Sequence, residues 1–306
     1  MYLRVSLLEA CNLRCRYCLP ADAKFSPPAT TPDELLRLTR LVTEAAGVHK
    51  IRITGGEPTL CPELLEHVSQ AAALAPIVGM TSNGIRLAPL IEPLQRAGLN
   101  RLNISLDAPD EAGFEQVTRR TGHSKVLTAI RAAMAAGFDP IKLNCVATAD
   151  TRCAAMLDLA RREGVHLRFI ELMAIGVSRE VHAKRFLSSE QIRARLFLAG
   201  EQLAVAADRD EPTSRVWTVH GTDPSDTTLG FITTVSNPFC GTCDRIRLTS
   251  AGRLHTCLFD QAGTDLLSPL RLAGDEAVRE AVRHAVAGKA PPVEFVRSAA
   301  MAAIGG

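Results

Sequence analysis

Short apolar runs alternate with amphipathic stretches over the first 175 residues, and this alternation predicts successive strand–helix–strand units. Such units build a parallel sheet, because each helix carries the chain back to the edge where the next strand begins. Right-handed crossovers between six strands produce a curled, barrel-like sheet. We predict strands at residues 2–8, 49–54, 76–81, 101–106, 140–147 and 165–171.

The first predicted helix has the clearest boundaries. Thr31 and Glu34 have the spacing of a capping box, Pro32 occupies the first helical position, and Gly47 follows the last apolar position. Further helices are predicted at residues 62–75, 86–98, 123–137 and 151–164, and several of them end at a glycine.

The pattern changes after residue 175, which predicts a second region. A polar loop at Asp208 to Pro212 interrupts this second region. We predict helices near 188–199 and 275–288 and strands near 215–219, 228–235, 244–249 and 253–258. The organisation is therefore a core of residues 1–180 and a smaller α+β region of residues 181–306.

Composition is typical of a soluble globular enzyme and excludes several other classes. Hydrophobic residues make up 46% and charged residues 22%, which excludes a disordered or collagenous chain. The net charge of +2 lacks the basic excess of non-specific nucleic-acid or anionic-membrane binding. No apolar run reaches the roughly 18 to 20 residues of a membrane span. We predict a cytoplasmic protein without nucleic-acid or membrane partners.

Six of the nine cysteines lie in two groups of three, namely Cys11, Cys15 and Cys18 near the start and Cys240, Cys243 and Cys257 near the end. Such short spacings in a cytosolic protein favour metal or cluster ligation over disulfides. Structural zinc prefers four protein ligands, whereas three thiolates on a four-iron cluster leave one iron open. One metal shared by both groups stays an alternative. Cys61, Cys145 and Cys153 are predicted to be small buried residues.

Polar and glycine-rich segments follow the predicted strands. They include Gly55-Gly56, Thr81-Ser82-Asn83 and Ser105-Leu106-Asp107. Because the loops after parallel strands line one face of a barrel, we expect these segments to converge there. Adjacent glycines also let the backbone approach a ligand closely.

Two arginines, Arg245 and Arg247, follow the second cysteine group on a predicted strand. Alternation places both on one face, where planar guanidinium groups suit phosphate oxygens. Arg4 and Arg52, on the first two strands, extend the same positive enclosure if they point inward. The plainer interpretation is a pair of solvated arginines on a strand.

The motifs resemble a known superfamily. A CxxxCxxC loop after the first strand of an α/β sheet is the signature of the radical S-adenosylmethionine (SAM) enzymes, and CNLRCRYC matches it. The run GGEP at Gly55 to Pro58 matches the superfamily's motif for the SAM amino group. The resemblance implies a partial (β/α)6 TIM-type barrel with a smaller C-terminal α+β extension covering its open side.

Nearly the whole chain resembles one family, the GTP 3′,8-cyclases of molybdenum-cofactor biosynthesis. The resemblance is carried by KIRITGGEP, TSNG, NISLDA, RFIELM, FCGTCDRIRLTSAGRLHTCLF and the terminal Gly-Gly. One departure is Leu8-Glu9-Ala10 before the first cysteine, where relatives usually carry a Thr-Asp pair.

The resemblance implies two 4Fe–4S clusters, one on each cysteine group, with SAM bound at the cluster of Cys11, Cys15 and Cys18. The implied SAM contacts are Tyr17, Gly56, Ser105 and Met173. The implied GTP contacts are Arg4, Arg52, Thr81, Lys142, Arg245, Ile246 and Arg247. Catalytic roles are implied for Arg245, Arg247 and the tail residues Gly305 and Gly306, which are expected to reach the active site.

The implied reaction begins when a 5′-deoxyadenosyl radical removes the 3′ hydrogen of the GTP ribose. The C3′ radical then attacks guanine C8 and gives (8S)-3′,8-cyclo-7,8-dihydroguanosine 5′-triphosphate, the first intermediate of molybdopterin synthesis. The implied partners are a low-potential electron donor and cyclic pyranopterin monophosphate synthase, which takes the product. A homodimer is a family-based expectation.

Other functions stay open at this point. A radical SAM enzyme with an auxiliary cluster could act on a peptide, although such domains generally carry more C-terminal cysteines. A divergent cyclase could act on another purine nucleotide. A non-catalytic cluster or zinc carrier would need neither GGEP nor an arginine-lined cavity. Cleavage of SAM by the reduced protein distinguishes an enzyme from a carrier.

Overall fold

All six predicted strands form in the computed structural model of the chain, which describes residues 1–176, 179–205, 215–220, 227–292, 294–297 and 301–304. They are β1 (Tyr2–Ser6), β2 (Lys50–Thr54), β3 (Ile77–Ser82), β4 (Arg101–Ser105), β5 (Lys142–Ala147) and β6 (His166–Glu171). Each pairs in parallel with the next along the chain. The prediction of a parallel, barrel-like core is confirmed.

Helices follow these strands and cover one face of the sheet. The helices of the core are α1 (Pro32–Ala46), α2 (Leu64–Leu74), α3 (Ile91–Arg96), α4 (Glu111–Thr118), α5 (His123–Ala135) and α6 (Cys153–Glu163). The predicted capping box of α1 is present, because Thr31 Oγ1 accepts from Glu34 N at 3.2 Å and Glu34 Oε2 accepts from Thr31 N at 2.8 Å. Helix α4 was not predicted.

Strand residues alternate between two environments. On β1, Leu3 and Val5 are fully buried in the apolar core together with Leu38 of α1. The residues that alternate with them, Tyr2 and Arg4, face the interior of the curled sheet. Because the α-helices of the core pack on the outer face, the inner face can carry polar side chains around a cavity.

The remaining chain adds further elements. The helices are α7 (Arg179–Arg185), α8 (Ser189–Leu198), α9 (Leu267–Leu272) and α10 (Asp275–Ala287). The strands are β7 (Ala174–Ile175), β8 (Gln202–Val205), β9 (Arg215–His220), β10 (Thr227–Ile232), β11 (Arg245–Leu248), β12 (Arg253–His255), β13 (Thr264–Asp265) and β14 (Val296–Arg297). Short 3-10 turns lie at Pro58–Leu60, Ala88–Leu90, Cys240–Thr242 and Met301–Ile304. The predicted loop at Asp208 to Pro212 lies outside the described residues.

Strands from both predicted regions form one continuous sheet. Its order in the described part of the chain is β13-β12-β11-β1-β2-β3-β4-β5-β6-β10-β9-β8. Strand β11 pairs in parallel with β1 and β10 pairs in parallel with β6, so both edges of the six-stranded core are extended by the C-terminal region. The division at residue 180 stays a prediction.

The topology places the two cysteine groups at opposite ends of the strands. The first group follows β1, at the carboxyl end of the parallel strands, as predicted. The second group precedes β11 and follows the antiparallel β12, which places it at the amino end. The five residues of β1 span about 13 Å at the usual rise per residue. The carboxyl end therefore holds the first group and the polar segments after the strands, as expected, whereas the second group lies at the other end.

None of the helices in the described part of the chain has the length and apolarity that crossing a bilayer requires.

Candidate active site

A cavity of about 580 Å³ occupies the interior of the curled sheet. All six grouped cysteines line it, together with inner-face residues of the parallel strands. Of the residues that the resemblance assigns to ligands, the cavity is lined by Arg4, Tyr17, Arg52, Gly56, Thr81, Ser105, Lys142, Met173, Arg245 and Arg247. One enclosure thus joins segments that are far apart in sequence.

Main-chain hydrogen bonds fasten the segment before Cys11 to the double-glycine loop. Gly56 N donates to Leu8 O at 2.7 Å, and Glu57 N donates to Ala10 O at 2.9 Å. A Cβ on Gly56 would lie 2.2 Å from Glu9 O, so this approach requires glycine. The contacts use carbonyl oxygens, which every residue carries, and this explains why Leu8-Glu9-Ala10 can replace the usual residues.

Helix α4 braces the other side of the first cysteine loop. Arg14 N donates to Thr118 O and Arg16 N donates to Val117 O, each at 3.0 Å. Arg119, with a left-handed φ of 56°, donates from Nη1 to Arg14 O at 2.7 Å and to Leu19 O at 3.2 Å. Its guanidinium therefore ties together both flanks of the Cys15 to Cys18 turn. Sequence reasoning missed this role because α4 itself was missed.

Burial controls the thiols of the first group. It raises the pKa of Cys15 well above the usual value, with a further contribution from Asp107, and it raises the pKa of Cys18 to about 12. Cys11 also has a raised pKa, chiefly from burial. Thiolate ligands in this position thus need positive charge from the group that they bind.

A buried carboxylate organises the loops around Cys11. Glu57 accepts hydrogen bonds from Thr59, from Ser82 Oγ at 2.8 Å and from Asn83 N at 2.7 Å. Asn83 Nδ2 in turn donates to Asn12 Oδ1 at 2.7 Å and lies 3.9 Å from Cys11 Sγ. Burial raises the pKa of Glu57, and the hydrogen bonds oppose that change. In the sequence, the signal for a role of Glu57 was its place in the GGEP run.

Tyr17 is held by a second buried carboxylate. Its hydroxyl donates to Asp107 Oδ2 at 2.7 Å, and Val146 N donates to Asp107 Oδ1 at 2.8 Å. Burial raises the pKa of Asp107 to about 6. The carboxylate therefore links the first cysteine loop to β4 and β5. The sequence placed Asp107 after a strand but did not reveal this partner.

The second cysteine group lies beside cations. Lys289 Nζ donates to Arg245 O at 2.9 Å and to Thr256 O, which joins the segments before and after the group. Burial acts to raise the pKa of Cys243, but the positive charges of Arg245 and Lys289 outweigh it and the pKa is lowered. One thiol of this group is thus closer to the ligating form than those of the first group.

Glu171 anchors the segment that leads to Cys240. Its side chain is buried and accepts from Ser189 N at 2.9 Å, Val235 N at 3.0 Å and Ser236 N at 2.8 Å. These bonds join β6 to the first turn of α8 and to the turn after β10. This carboxylate therefore fastens to β6 the turn that precedes Cys240.

Neighbouring strands bring basic side chains into one row, defined here as the arginine wall: Arg4, Arg52, Arg245 and Arg247. Arg4 is the register partner of Arg52 on β2 and of Arg247 on β11. Burial and the neighbouring arginines lower the pKa of Arg247 to about 9, and burial lowers that of Arg4 to about 10. The Nε atoms of Arg245 and Arg247 are buried without a hydrogen-bond partner among the described residues. An anion in the cavity would offset these costs.

Arg52 crosses its neighbouring strand at a glycine. A Cβ on Gly79 would lie 2.9 Å from Arg52 Nη2, so the guanidinium occupies the space of the missing side chain. Its Nη1 donates to Met80 O at 3.1 Å and to Thr81 Oγ1 at 3.4 Å. The guanidinium of Arg52 thus extends the arginine wall to Thr81, in agreement with the positive enclosure predicted from the sequence.

Ile246 is the exception among the predicted ligand contacts. Its side chain is fully buried in the apolar core, because alternation turns it away from Arg245 and Arg247. Any contact of Ile246 with a ligand must therefore use its backbone. Cys145 and Cys153 are buried as predicted, whereas Cys61 is half-buried.

The C-terminal tail approaches the first cysteine group. Met301 and Ala302 line the cavity, and a backbone hydrogen bond from Ala302 reaches Cys18. Gly305 and Gly306 lie outside the described residues. Their place at the active site stays a prediction.

Both cysteine groups have the donor set that a 4Fe–4S cluster uses. All six thiols are free, and each group presents three of them to the cavity. Three thiolates on a cubane bind different irons, so they need not converge on a single point. Among the described residues, no three Cys, His, Asp or Glu side chains are placed to hold one metal ion.

Two family models match the chain. The Radical SAM superfamily matches residues 5–151, and Molybdenum Cofactor Synthesis C matches residues 165–295. The GTP 3′,8-cyclase of Mycobacterium ulcerans is 39% identical over 297 residues, which cover 94% of this chain and 82% of that protein. Human molybdenum cofactor biosynthesis protein 1 is 38% identical over 90% of this chain, which spans only 44% of that longer protein.

Solved structures share the fold. SuiB of Streptococcus suis bound to its precursor peptide SuiA has a TM-score of 0.62 at 13% identity, covering 92% of this chain and 66% of that one. SuiB bound to S-adenosylmethionine has a TM-score of 0.61 at 14% identity, covering 92% and 67%. At these identities the similarity supports the architecture alone.

Gly56→Ala tests the backbone contact beneath the first cysteine loop. The added methyl group would press on the carbonyls of Glu9 and Ala10, and such overpacking typically costs about 1–3 kcal/mol. We expect a lower unfolding temperature and faster alkylation of the first three cysteines in the iron-free protein, measured by mass spectrometry. Gly241→Ala is the matched control, since a Cβ there meets no atom within 4 Å. Equal alkylation rates in the two variants would contradict the argument.

Proposed function

The chain belongs to the GTP 3′,8-cyclase family of radical SAM enzymes, and we propose that it converts GTP to (8S)-3′,8-cyclo-7,8-dihydroguanosine 5′-triphosphate. This reaction is the first step of molybdenum-cofactor biosynthesis. The observation that supports the proposal most directly is one cavity that holds two cysteine triads and the arginine wall. The family predicted from the motifs is confirmed by the relatives.

The residues of the first group would hold the cluster and SAM. Membership of the superfamily implies a 4Fe–4S cluster, and Cys11, Cys15 and Cys18 supply its three thiolates. When bound, this cluster supplies the electron that cleaves SAM and so provides the radical that takes the substrate hydrogen. We assign Gly56 and Tyr17 to the positioning of SAM, because both line the cavity beside these cysteines. Ser105 and Met173 line the same space and complete the assignment.

The second group and the arginine wall would hold the substrate. Cys240, Cys243 and Cys257 would carry an auxiliary 4Fe–4S cluster at the amino end of the strands. Arg4, Arg52, Arg245 and Arg247 would bind the triphosphate, with Thr81 and Lys142 on the adjoining wall. The role of these side chains is to orient the ribose and to exclude water, because a reactive radical must meet one hydrogen only.

A peptide substrate is the other candidate from the sequence. The similarity to SuiB supports a shared fold and carries no substrate, whereas the close relatives are nucleotide cyclases. We therefore propose GTP, and not a peptide, as the substrate. Three further proposals rest on family membership: a low-potential electron donor, transfer of the product to cyclic pyranopterin monophosphate synthase, and a homodimer.

An anaerobic assay tests the proposed reaction. The reconstituted protein is given dithionite, SAM and GTP, and the products are followed by mass spectrometry. We expect 5′-deoxyadenosine together with a cyclised nucleotide of the same mass as GTP. If SAM is cleaved while GTP stays intact, the radical chemistry is supported and the proposal of GTP as substrate is refuted.

Arg247→Ala tests the arginine wall. The guanidinium is buried and its Nε has no hydrogen-bond partner among the described residues, so its loss removes a charge that faces the triphosphate. A charge-assisted hydrogen bond contributes about 1.5–3 kcal/mol, which corresponds to a roughly 10- to 150-fold weaker GTP affinity by calorimetry. Iron content should not change. Arg96→Ala, an exposed residue on α3, is the control. Unchanged affinity in Arg247→Ala would remove this residue from the site.

Removal of Gly305 and Gly306 tests the tail. The preceding Met301 and Ala302 line the cavity, which supports a role of the tail in the reaction. We expect cyclisation to be lost while both clusters are retained, as measured by product formation and iron content. Full turnover by the shortened chain would contradict the role.

A further inference from the structure

Tyr2 is the one phenol that faces the arginine wall in the described part of the chain. Its hydroxyl oxygen accepts a hydrogen bond from Arg52 Nε at 2.5 Å. Lys50 Nζ lies 4.8 Å from the centre of its ring. Tyr2 also lines the cavity. None of the roles assigned above uses this side chain.

Charged groups surround Tyr2 from every neighbouring strand. Arg4 lies on its own strand, and Lys50 and Arg52 lie on β2, preceded by His49. Arg245 and Arg247 lie on β11, preceded by Asp244, whose carboxylate is 4.0 Å from His49. The surroundings therefore carry a clear excess of positive charge.

The positive charge around Tyr2 changes the pKa of its phenol. Burial alone would raise the pKa of Tyr2, but Arg52, Arg4 and Lys50 outweigh it and lower the pKa to about 8. A phenolate at this position would share its charge with the guanidinium of Arg52. It would compete with any polyphosphate for the same cations.

We propose that Tyr2 is a proton-coupled counter-ion of the arginine wall. In the free protein at mildly alkaline pH its ionised hydroxyl balances the buried cations, and a bound polyphosphate takes over that balance while Tyr2 takes up one proton from solvent. The inference rests on the proposed function only in naming GTP as the source of the polyphosphate.

Linkage gives the sign of the pH dependence. Bound polyphosphate favours the neutral phenol, so the pKa of Tyr2 is higher in the complex than in the free protein. Binding then weakens as the pH rises above about 8, because the phenolate must first be protonated. Between pH 7 and pH 9 the dissociation constant should rise by about tenfold on this account alone.

Tyr2→Phe isolates the hydroxyl, since it keeps the ring that contacts Lys50. Calorimetry on the cluster-loaded protein would measure affinity and proton uptake between pH 7 and pH 9, with GTP and with inorganic tripolyphosphate. Arg4, Arg247 and the ligands themselves also titrate, but they do so in both the natural chain and Tyr2→Phe. The difference between the two pH profiles of affinity therefore reports the ionisation of Tyr2. We expect that difference to approach tenfold at pH 9, with proton uptake in the natural chain that the variant lacks. Parallel profiles would overturn the inference.

A second measurement does not depend on the variant's stability. The chain has two tyrosines, so carbon-13 at the phenol carbon gives two signals. The pKa of Tyr17 is raised well above 10, chiefly by burial, so only Tyr2 should titrate near pH 8. Tripolyphosphate should return that signal to its neutral position, and a signal that does not move near pH 8 would refute the counter-ion. Tripolyphosphate binding with this behaviour, but no GTP binding, would reject the proposed substrate and leave the inference standing.

Discussion

Guanidinium groups buried side by side are the constraint on which this site depends. Arg4, Arg52 and Arg247 occupy register positions on three adjacent strands, and burial and repulsion by neighbouring arginines lower the pKa of Arg4 and of Arg247. The carbonyl of Met80 and the hydroxyl of Tyr2 accept hydrogen bonds from Arg52, and the ring of Phe239 lies against the guanidinium of Arg245. The Nε atoms of Arg245 and Arg247 keep no hydrogen-bond partner among the described residues, and a polyanionic ligand would supply one.

The sheet is able to hold these charges because the α-helices of the core cover its outer face and leave the inner face to polar side chains. Leu3, Ile51 and Ile246 form the outer, apolar face, and the residues that alternate with them are directed into the cavity. A barrel whose interior is filled with aliphatic side chains would leave no room for a nucleotide. The alternating pattern is therefore what couples the stability of the core to the chemistry of the interior.

Much of this arrangement could be predicted from local pattern. The six core strands, the capping box at Thr31 and the two cysteine groups each depend on short stretches of sequence. The insertion of β11 beside β1 could not be predicted, because it joins residues about 240 positions apart and no local signal encodes that pairing. Helix α4 was missed because it is only eight residues long and contains Gly113. The bracing role of Arg119 was missed with it.

The substrate class depends on the inner-face side chains and not on the fold. SuiB, whose structure was solved with a precursor peptide, shares the architecture over 92% of this chain. The same sheet can thus present different interiors, since inner-face residues can change without disturbing the outer, apolar face. In this chain the space opposite the first cysteine group is bordered by four arginines and a second triad of thiols. A peptide backbone is neutral and would leave that charge uncompensated, whereas a triphosphate supplies anionic oxygens in a geometry that guanidinium groups can bind in pairs. The electrostatics of the wall therefore favour a polyanion, such as a nucleoside triphosphate, over a peptide without acidic side chains, independently of any sequence similarity.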